Sequence, residues 1–439
     1  MSFIIEDGVL LKYTGTDTEV VVPDEVKVIS REAFAYMPVT SITIPGSIEA
    51  IERAAFCENR KLEKIYLEDF KIFLNEGLVW PLRSLTGPDT SPDIYIKGVL
   101  AEEIDIPNGV KVIGEFAFNG WKNLKRVTIP DSVKTIDNNA FDSCVSLKEI
   151  SIPDSVTKIG EYAFANCANL TDVIIPDSVK KIGRYAFEKC TKLKAITLPA
   201  DLKKIEESVF NECAALENVV MPEGITEICD CAFERCSSLE NITIPESVKT
   251  IGVMAFWECF NLKEITIPDS VKTIKDDAFV NYDKLRRVCV SNLQNFMKIR
   301  FEGTSWYNTE LFLLDENRAL TNLIIPDDVQ KVGYGTFSGC NSIETVTIPE
   351  GVTTIGVNAF ARCDNLKQVF LPNGLKKIDV QAFWGCYSLK EIDIPDSVTK
   401  IDEGAFHKCS SLLKASVPKR IKAIAKSVFP DSTVVIVRE

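Results

Sequence analysis

Cysteine is the first residue type here whose number and spacing invite a chemical reading, with 14 thiols in 439 residues. Ten of them, Cys144, Cys167, Cys190, Cys213, Cys236, Cys259, Cys340, Cys363, Cys386 and Cys409, share one phase of a 23-residue interval. Other copies of that phase hold Met37, Asn59, Trp121 or Tyr282. A position that accepts thiol, thioether and indole in turn is a packing position, and buried thiols behave as small hydrophobes. A disulfide needs two Cβ atoms about 3.5–4.5 Å apart with suitably directed bonds, which parallel stacking of equivalent units does not offer. The expectation is a ladder of reduced thiols, compatible with a reducing compartment. Cys229, Cys231 and Cys236 form the one dense group. Zinc takes four ligands, commonly from paired Cys or His arms. This spacing is wrong for such arms, and Cys236 belongs to the ladder, so no metal or cofactor site is predicted.

His407 is the single histidine. Acid–base catalysis and nucleophilic triads draw mainly on histidine, and His407 follows Ala405-Phe406 in a segment that reads as a surface turn. Carboxylates are plentiful, among them Asp105, Glu149, Glu264, Glu391 and Asp393. Paired acids support glycoside hydrolysis, but these recur with the repeat on what reads as an open sheet, with no deep pocket to shift their pKa values. There is no phosphate-cradling Gly-x-x-x-x-Gly-Lys-Ser/Thr run. The residues that do chemistry elsewhere are spent here on periodicity, and the chain is not expected to be an enzyme.

The elements that repeat must account for the rest. Prolines follow an aliphatic residue at 107, 130, 153, 176, 199, 222, 245 and 268, and in a second register at 326, 349, 372, 395 and 418, always 23 apart. In one unit, Glu149-Ile150-Ser151-Ile152 alternates as a half-buried strand does. Pro153 ends the pairing because it has no N–H to donate, and Asp154-Ser155 make a turn whose side chains are suited to local backbone bonds. Val156 and Ile159 point inward again. Ala163-Phe164 and Cys167 suit a short helical turn on the far side. Eight apolar positions in each 23-residue unit form no core alone, but stacked equivalent units bury them continuously. Fifteen of the 24 phenylalanines share one phase, from Phe34 and Phe56 to Phe406 and Phe429, and are expected to form a buried spine.

The run Leu-x-x-Ile-x-Ile-Pro-x-x-Val-x-x-Ile-Gly-x-x-Ala-Phe-x-x-Cys resembles the leucine-rich repeats, most closely the BspA-like subtype of bacteria and protists. The likeness covers almost the whole chain, although the usual post-strand Asn is replaced by the Ile-Pro-Asp-Ser-Val turn. It implies a curved solenoid with a parallel β-sheet on the inner face and short helical turns or irregular segments on the convex side. The strand positions counted this way number about 18. The whole of residues 1–439 then reads as a single solenoid, with a capping hairpin at 1–22 and a C-terminal cap at 419–439.

The period breaks twice, giving variant repeats at 68–104 and 291–324. Each loses the Ala-Phe-x-x-Cys element and gains aromatic residues: Phe70, Phe73 and Trp80 in the first, Phe296, Phe301, Trp306 and Tyr307 in the second. Each also holds a hairpin-like stretch, Ile94-Tyr-Ile-Lys-Gly-Val-Leu and Leu311-Phe-Leu-Leu-Asp-Glu-Asn-Arg-Ala-Leu. The expected structure is a longer convex excursion that replaces lost core with Trp and Phe. Gly87-Pro88-Asp89-Thr90-Ser91-Pro92 signals an exposed loop within the first.

Composition sets the remaining bounds. Apolar residues make up 46% and charged residues 26% of the chain, ordinary for a folded protein. A net charge of -13 opposes nucleic-acid binding, which needs a basic stripe. The local basic run Lys414, Lys419, Arg420, Lys422 and Lys426 is read as solvation of the last repeats. The first residues, Met-Ser-Phe-Ile-Ile-Glu-Asp-Gly, have neither the basic nor the apolar region of a secretory signal. No apolar run reaches the roughly 18 residues of a membrane span. As written, the chain is expected to be a monomer without membrane insertion.

On the inner face of such a solenoid the outward strand residues meet the partner. Their middle row includes Thr43, Tyr66, Asp105, Thr128, Ser151, Ile174, Thr197, Val220, Ile324, Thr347, Phe370 and Asp393. Interfaces rely on a few aromatic or Arg anchors, which selects Tyr66, Arg126, Arg287 and Phe370. The function expected is non-catalytic recognition of a protein or extracellular-matrix ligand. The resemblance implies surface adhesion, and the reduced thiols suggest an intracellular scaffold as the alternative.

Overall fold

Alternation within each unit decides where a strand forms. In Glu149–Ser151 the central Ile150 is buried and its two neighbours are exposed. This strand pairs in parallel with its equivalent one unit on, setting Glu149 against Asp172, Ile150 against Val173 and Ser151 against Ile174. Like residues therefore stack on like, and the apolar position of every rung enters one continuous core. The computed structural model is a parallel β-solenoid of about 18 turns with little helix. It describes residues 2–52, 54–70, 91–280, 284–303, 306 and 308–438. Phe73, Trp80, Gly87 to Thr90, Tyr282 and Tyr307 lie outside the described residues. The chain forms two compact units, Met1–Pro222 and Glu223–Glu439.

The turn after each strand departs in detail from the sequence reading. The Val156 N–H donates to the Pro153 carbonyl at 3.0 Å, closing the turn. The serine does not bond locally. Ser155 Oγ donates to the Val133 carbonyl of the preceding rung at 2.5 Å, and Ser178 Oγ repeats this with Val156 at 2.7 Å. A second, two-residue strand follows, with Lys158–Ile159 lying between Thr135–Ile136 and Lys181–Ile182.

The far side of each rung is a pair of hydrogen-bonded turns, not a helical turn. Ala165 N–H donates to the Tyr162 carbonyl and Cys167 N–H to the Phe164 carbonyl. Two residues of the segment are left-handed, Tyr162 at φ 56° and Asn166 at φ 58°, and the next rung repeats this with Tyr185 and Lys189. For a residue with a side chain that conformation costs about 1–2 kcal/mol. It is held because it aims N–H groups at the next rung: Tyr162 to Arg184, Phe164 to Ala186 and Asn166 to Glu188, at 3.0, 2.8 and 2.7 Å.

Between these ladders lies the phenylalanine spine. Phe118, Phe141, Phe164, Phe187 and Phe210 stack with centroids 5.1–5.8 Å apart in the first unit. Phe337, Phe360, Phe383 and Phe406 do the same at 5.1–5.4 Å in the second. The ladder cysteines are all buried and in no disulfide. Eight of them donate Sγ–H to the phenylalanine carbonyl one rung back, as Cys167 does to Phe141 and Cys190 to Phe164 at 3.2 Å. Cysteine thus fills the space as an apolar residue and supplies a weak donor. Burial pushes the Cys213 and Cys340 thiols up to about 12.

The variant repeats are not convex excursions alone. Their hairpins enter the sheet. Asp93–Ile96 pairs in parallel with Lys64–Leu67, setting Tyr66 against Tyr95, and Glu310–Leu313 pairs with Arg287–Val290, setting Cys289 against Phe312. The return strands, Val99–Leu100 and Arg318–Ala319, run antiparallel and end the ladder. A new parallel ladder then begins at Glu103–Asp105 and at Asn322–Ile324. A related hairpin, Phe3–Glu6 with Val9–Tyr13, opens the chain. Its Asp7-Gly8 turn, like Lys97-Gly98, has φ positive at both positions, the type I′ geometry that matches strand twist. Aromatic replacement of lost core is seen directly in the second variant repeat. Trp306 is 2% exposed and takes a place in the spine, 5.5 Å from Phe279 and nearly parallel to it.

Candidate recognition face

Because the core claims one side of every strand, the other side is free to be specified by function. Thr is the commonest residue of its middle row, suiting strands and stacking well. Large apolar side chains interrupt it, among them Val21 (67% exposed), Ile174 (70%), Val220 (58%), Ile324 (68%) and Phe370 (54%). In the second unit Ile324, Thr347 and Phe370 stand in register on successive strands. In the first, Val220 stands beside Thr197.

The four anchors expected from sequence occupy different surroundings. Tyr66 is half-buried and stacks on Tyr95 with centroids 4.8 Å apart, beside a groove of about 360 Å³ that Thr43, Ser41 and Glu19 also line. Phe370 stands between two depressions, one shared with Glu391 and Lys414, the other with Pro395 and Arg438. Arg438 there bonds Asp393 and Asp396. The two arginines are already engaged within the chain. Arg126 pairs with Glu103. Arg287 lies between Glu264 at 3.2 Å and Glu310 at 2.9 Å, with its guanidinium 4.8 Å from the Phe312 ring centre. The hydrogen bond that Arg287 donates to Glu310 is the main reason the Arg287 pKa is raised, as the one donated to Glu103 is for Arg126. Exposed pairs of this kind add only about 0–1 kcal/mol. What they do is direct each guanidinium to a neighbour on the sheet.

Neither unit gathers its two anchors into one cluster. Tyr66 and Arg126 belong to separate ladders of the first unit, on either side of its internal hairpin. Arg287 and Phe370 are likewise separated in the second. Tyr95, Phe312 and the exposed aliphatics Ile174 and Ile324 were missed as anchors. Tyr95 falls off the 23-residue interval, whereas Phe312 lies one interval after Cys289, and the alternation in their hairpin strands would have placed both outward.

The remaining chemical candidates have structural surroundings. Cys236 is buried with the ladder thiols, while Cys229 and Cys231 are partly exposed. Among the described residues no group of three or more His, Cys, Asp or Glu is placed to hold a metal ion. His407 is half-buried in the turn beside Gly404. Among the described residues no helix is long and apolar enough to cross a membrane.

Comparison with known proteins agrees with this architecture. The sequence profile of the BspA type leucine rich repeat region matches residues 10–76, 94–216, 203–312 and 310–435. Two of those segments begin at the internal hairpins. No curated protein sequence matches the chain. Among solved structures, a leucine-rich repeat protein from Bacteroides ovatus is 28% identical with a TM-score of 0.56, each chain being covered completely. A leucine rich cell surface protein from Faecalibacterium prausnitzii is 19% identical at TM-score 0.36, covering 100% of this chain and 93% of its own. The pneumococcal vaccine antigen PcpA is 17% identical at TM-score 0.42, with 99% and 96% covered. Repeat scaffolds of this kind serve protein–protein interaction. With the repeat profile matched over most of its length and its solenoid laid out rung by rung, the chain belongs to the BspA-type leucine-rich-repeat family.

Proposed function

We propose that this protein is a non-catalytic recognition scaffold that grips a protein ligand through the outward face of its sheet, and that its setting is adhesion to a host or extracellular-matrix protein. The observation that carries the reading is the exposed apolar side chains on that face of each unit, Val21, Ile174 and Val220 in the first and Ile324 and Phe370 in the second. Single exposed aliphatics are ordinary on any surface. In the second unit Ile324, Thr347 and Phe370, in register on successive strands and on the side the core does not use, form a contact row. Ile324 and Phe370 supply its broadest apolar element, flanked by polar side chains able to form a rim.

Capture of partners tests the reading. Immobilised protein is offered matrix extract and cytosolic lysate separately, alongside Ile324→Ser and Phe370→Ala variants. Saturable retention of a matrix protein, weakened about tenfold or more by either substitution, is the expected result. Retention from matrix that neither variant changes would remove the sheet face from the account. Retention from cytosol alone favours a second reading, an intracellular scaffold. That alternative draws on the free thiols, including the partly exposed Cys57, Cys229 and Cys231, which persist most readily where disulfides are not formed.

A further inference from the structure

Charges on the outward row of the sheet are matched in register over most of the described ladders. Glu103 lies beside Arg126, Arg287 between Glu264 and Glu310, and Glu391 beside Lys414. Glu149 is matched by Arg126 on one side but not on the other. Glu149 stands directly beside Asp172 on the neighbouring strand, two carboxylates at a strand spacing of about 4.8 Å. Like charges in register destabilise a sheet, and nothing in the core requires them, since both side chains point outward and are exposed.

The mismatch lies in a groove of the first unit, about 760 Å³ between Arg126 and Pro176. A second acidic row, Asp131 and Asp154, lines its other side. The one cation of the lining, Arg126, is bonded to Glu103. Between the two acidic rows stands Ile174, 70% exposed, where the preceding rungs place Thr128 and Ser151. Arg126 also stands in register beside Glu149, so a single arginine faces Glu149, Asp172, Asp131 and Asp154 in this lining. An apolar centre between two rows of carboxylates with that excess of negative charge is complementary to one kind of occupant.

We propose that this sheet face, from Arg126 to Ile174, binds a lysine- or arginine-rich protein segment that seats an aliphatic side chain on Ile174. The inference rests on the recognition reading and adds the chemistry of the partner. Bound cations turn the Glu149–Asp172 repulsion into charge-assisted hydrogen bonds. The acidic rows raise the encounter rate and reject acidic partners. The isoleucine adds apolar contact that salt does not screen.

The test uses the full chain and a fluorescein-labelled peptide, Lys-Lys-Val-Lys-Lys-Val-Lys-Lys, followed by anisotropy at low and physiological salt. Saturable binding that weakens with salt is expected. Glu149→Gln combined with Asp172→Asn weakens it about tenfold, the effect of two exposed charge pairs near 0.7 kcal/mol each. That variant loses the Glu149–Asp172 repulsion together with the Glu149–Arg126 attraction, so its melting temperature is expected to stay close to the parent's. Ile174→Ser weakens binding several-fold at both salt concentrations, while Glu217→Gln, an exposed acid outside the groove, leaves it unchanged. The proposal is overturned if the double variant binds like the parent, if Glu217→Gln costs as much, or if the peptide with glutamate for lysine binds equally well. Loss of this peptide binding while Ile324→Ser and Phe370→Ala still impair protein capture removes this inference and leaves the recognition reading standing.

Discussion

Replacing Phe164 by alanine removes the centre of a stack. The ring is fully buried and lies 5.3 Å from Phe141 and 5.4 Å from Phe187, within 9° of parallel to each. Its transfer from water contributes about 1.5–3 kcal/mol, and each stacked neighbour adds about 0.5–1.5 kcal/mol. The flanking rungs are tied by backbone ladders on three sides and do not collapse into the void. Large-to-small substitutions of this kind cost about 3–5 kcal/mol. Phe429, whose described ring contact is Phe406 at 5.2 Å, has one stacked neighbour and is expected to cost about 1 kcal/mol less. Stability in repeat arrays is a sum of local and nearest-neighbour terms, so one melting temperature would blur the effect. Native-state hydrogen exchange resolves it. The amides of Phe164 and Asn166, which donate to the next rung at 2.8 and 2.7 Å, should lose protection by the full amount, with the loss fading over adjacent rungs. A loss below about 1 kcal/mol, or one equal at Phe164 and Phe429, would refute the spine as the source of local stability.

Three other outcomes follow from the same geometry. Thiol titration of native protein should label Cys57, Cys229 and Cys231 first, the partly exposed ones, while denatured protein should yield all 14. Native labelling of the ladder cysteines at the same rate would place them outside the core. Stability should also fall in alkali. Burial raises Cys213 and Cys340 from 9.0 to about 12, so above pH 9 the unfolded chain releases protons that the folded chain keeps. The contribution is complete below that pH and is lost toward pH 12, by up to about 1.4 kcal/mol per pH unit for each thiol. Cys213→Ala should flatten urea-derived stability between these limits by one proton, and an unchanged slope would contradict the assignment. Finally, Lys189 is exposed to solvent in part and left-handed at φ 58°. Lys189→Gly should be neutral or stabilising by up to about 1 kcal/mol, and Lys189→Val destabilising by about 1–2 kcal/mol. The reverse order in urea denaturation would mean that the turn does not hold that conformation in solution.

Much of this molecule was legible before any coordinates because each rung packs against a near copy of itself. A phase that carries Phe in 15 units, or Cys in ten, must meet its own kind in the next rung. Thus Phe164 could be placed in the core, and Cys167 beside it as a thiol, from spacing alone. The outward row was equally readable, since alternation puts Ile150 in and Ser151 out. The left-handed residues were not. Tyr162, Asn166, Tyr185 and Lys189 carry no glycine signal, and their conformation is imposed by the N–H groups that must reach the next rung.

The sequence by itself determined the repeat, the inward set of side chains, the reduced ladder and the family, because these depend on period and polarity within one unit. Tertiary structure alone decided which charges face each other. Arg126 and Arg287 looked equivalent to Phe370 as anchors, but neighbouring carboxylates hold both guanidiniums, whereas Glu149 and Asp172 were left side by side. It also decided that the variant hairpins continue the sheet and then close it. Pairing across rungs brings together residues 19 to 29 apart in sequence, and Coulomb interactions depend on the resulting separation in space. Composition and period do not specify it until the register is set.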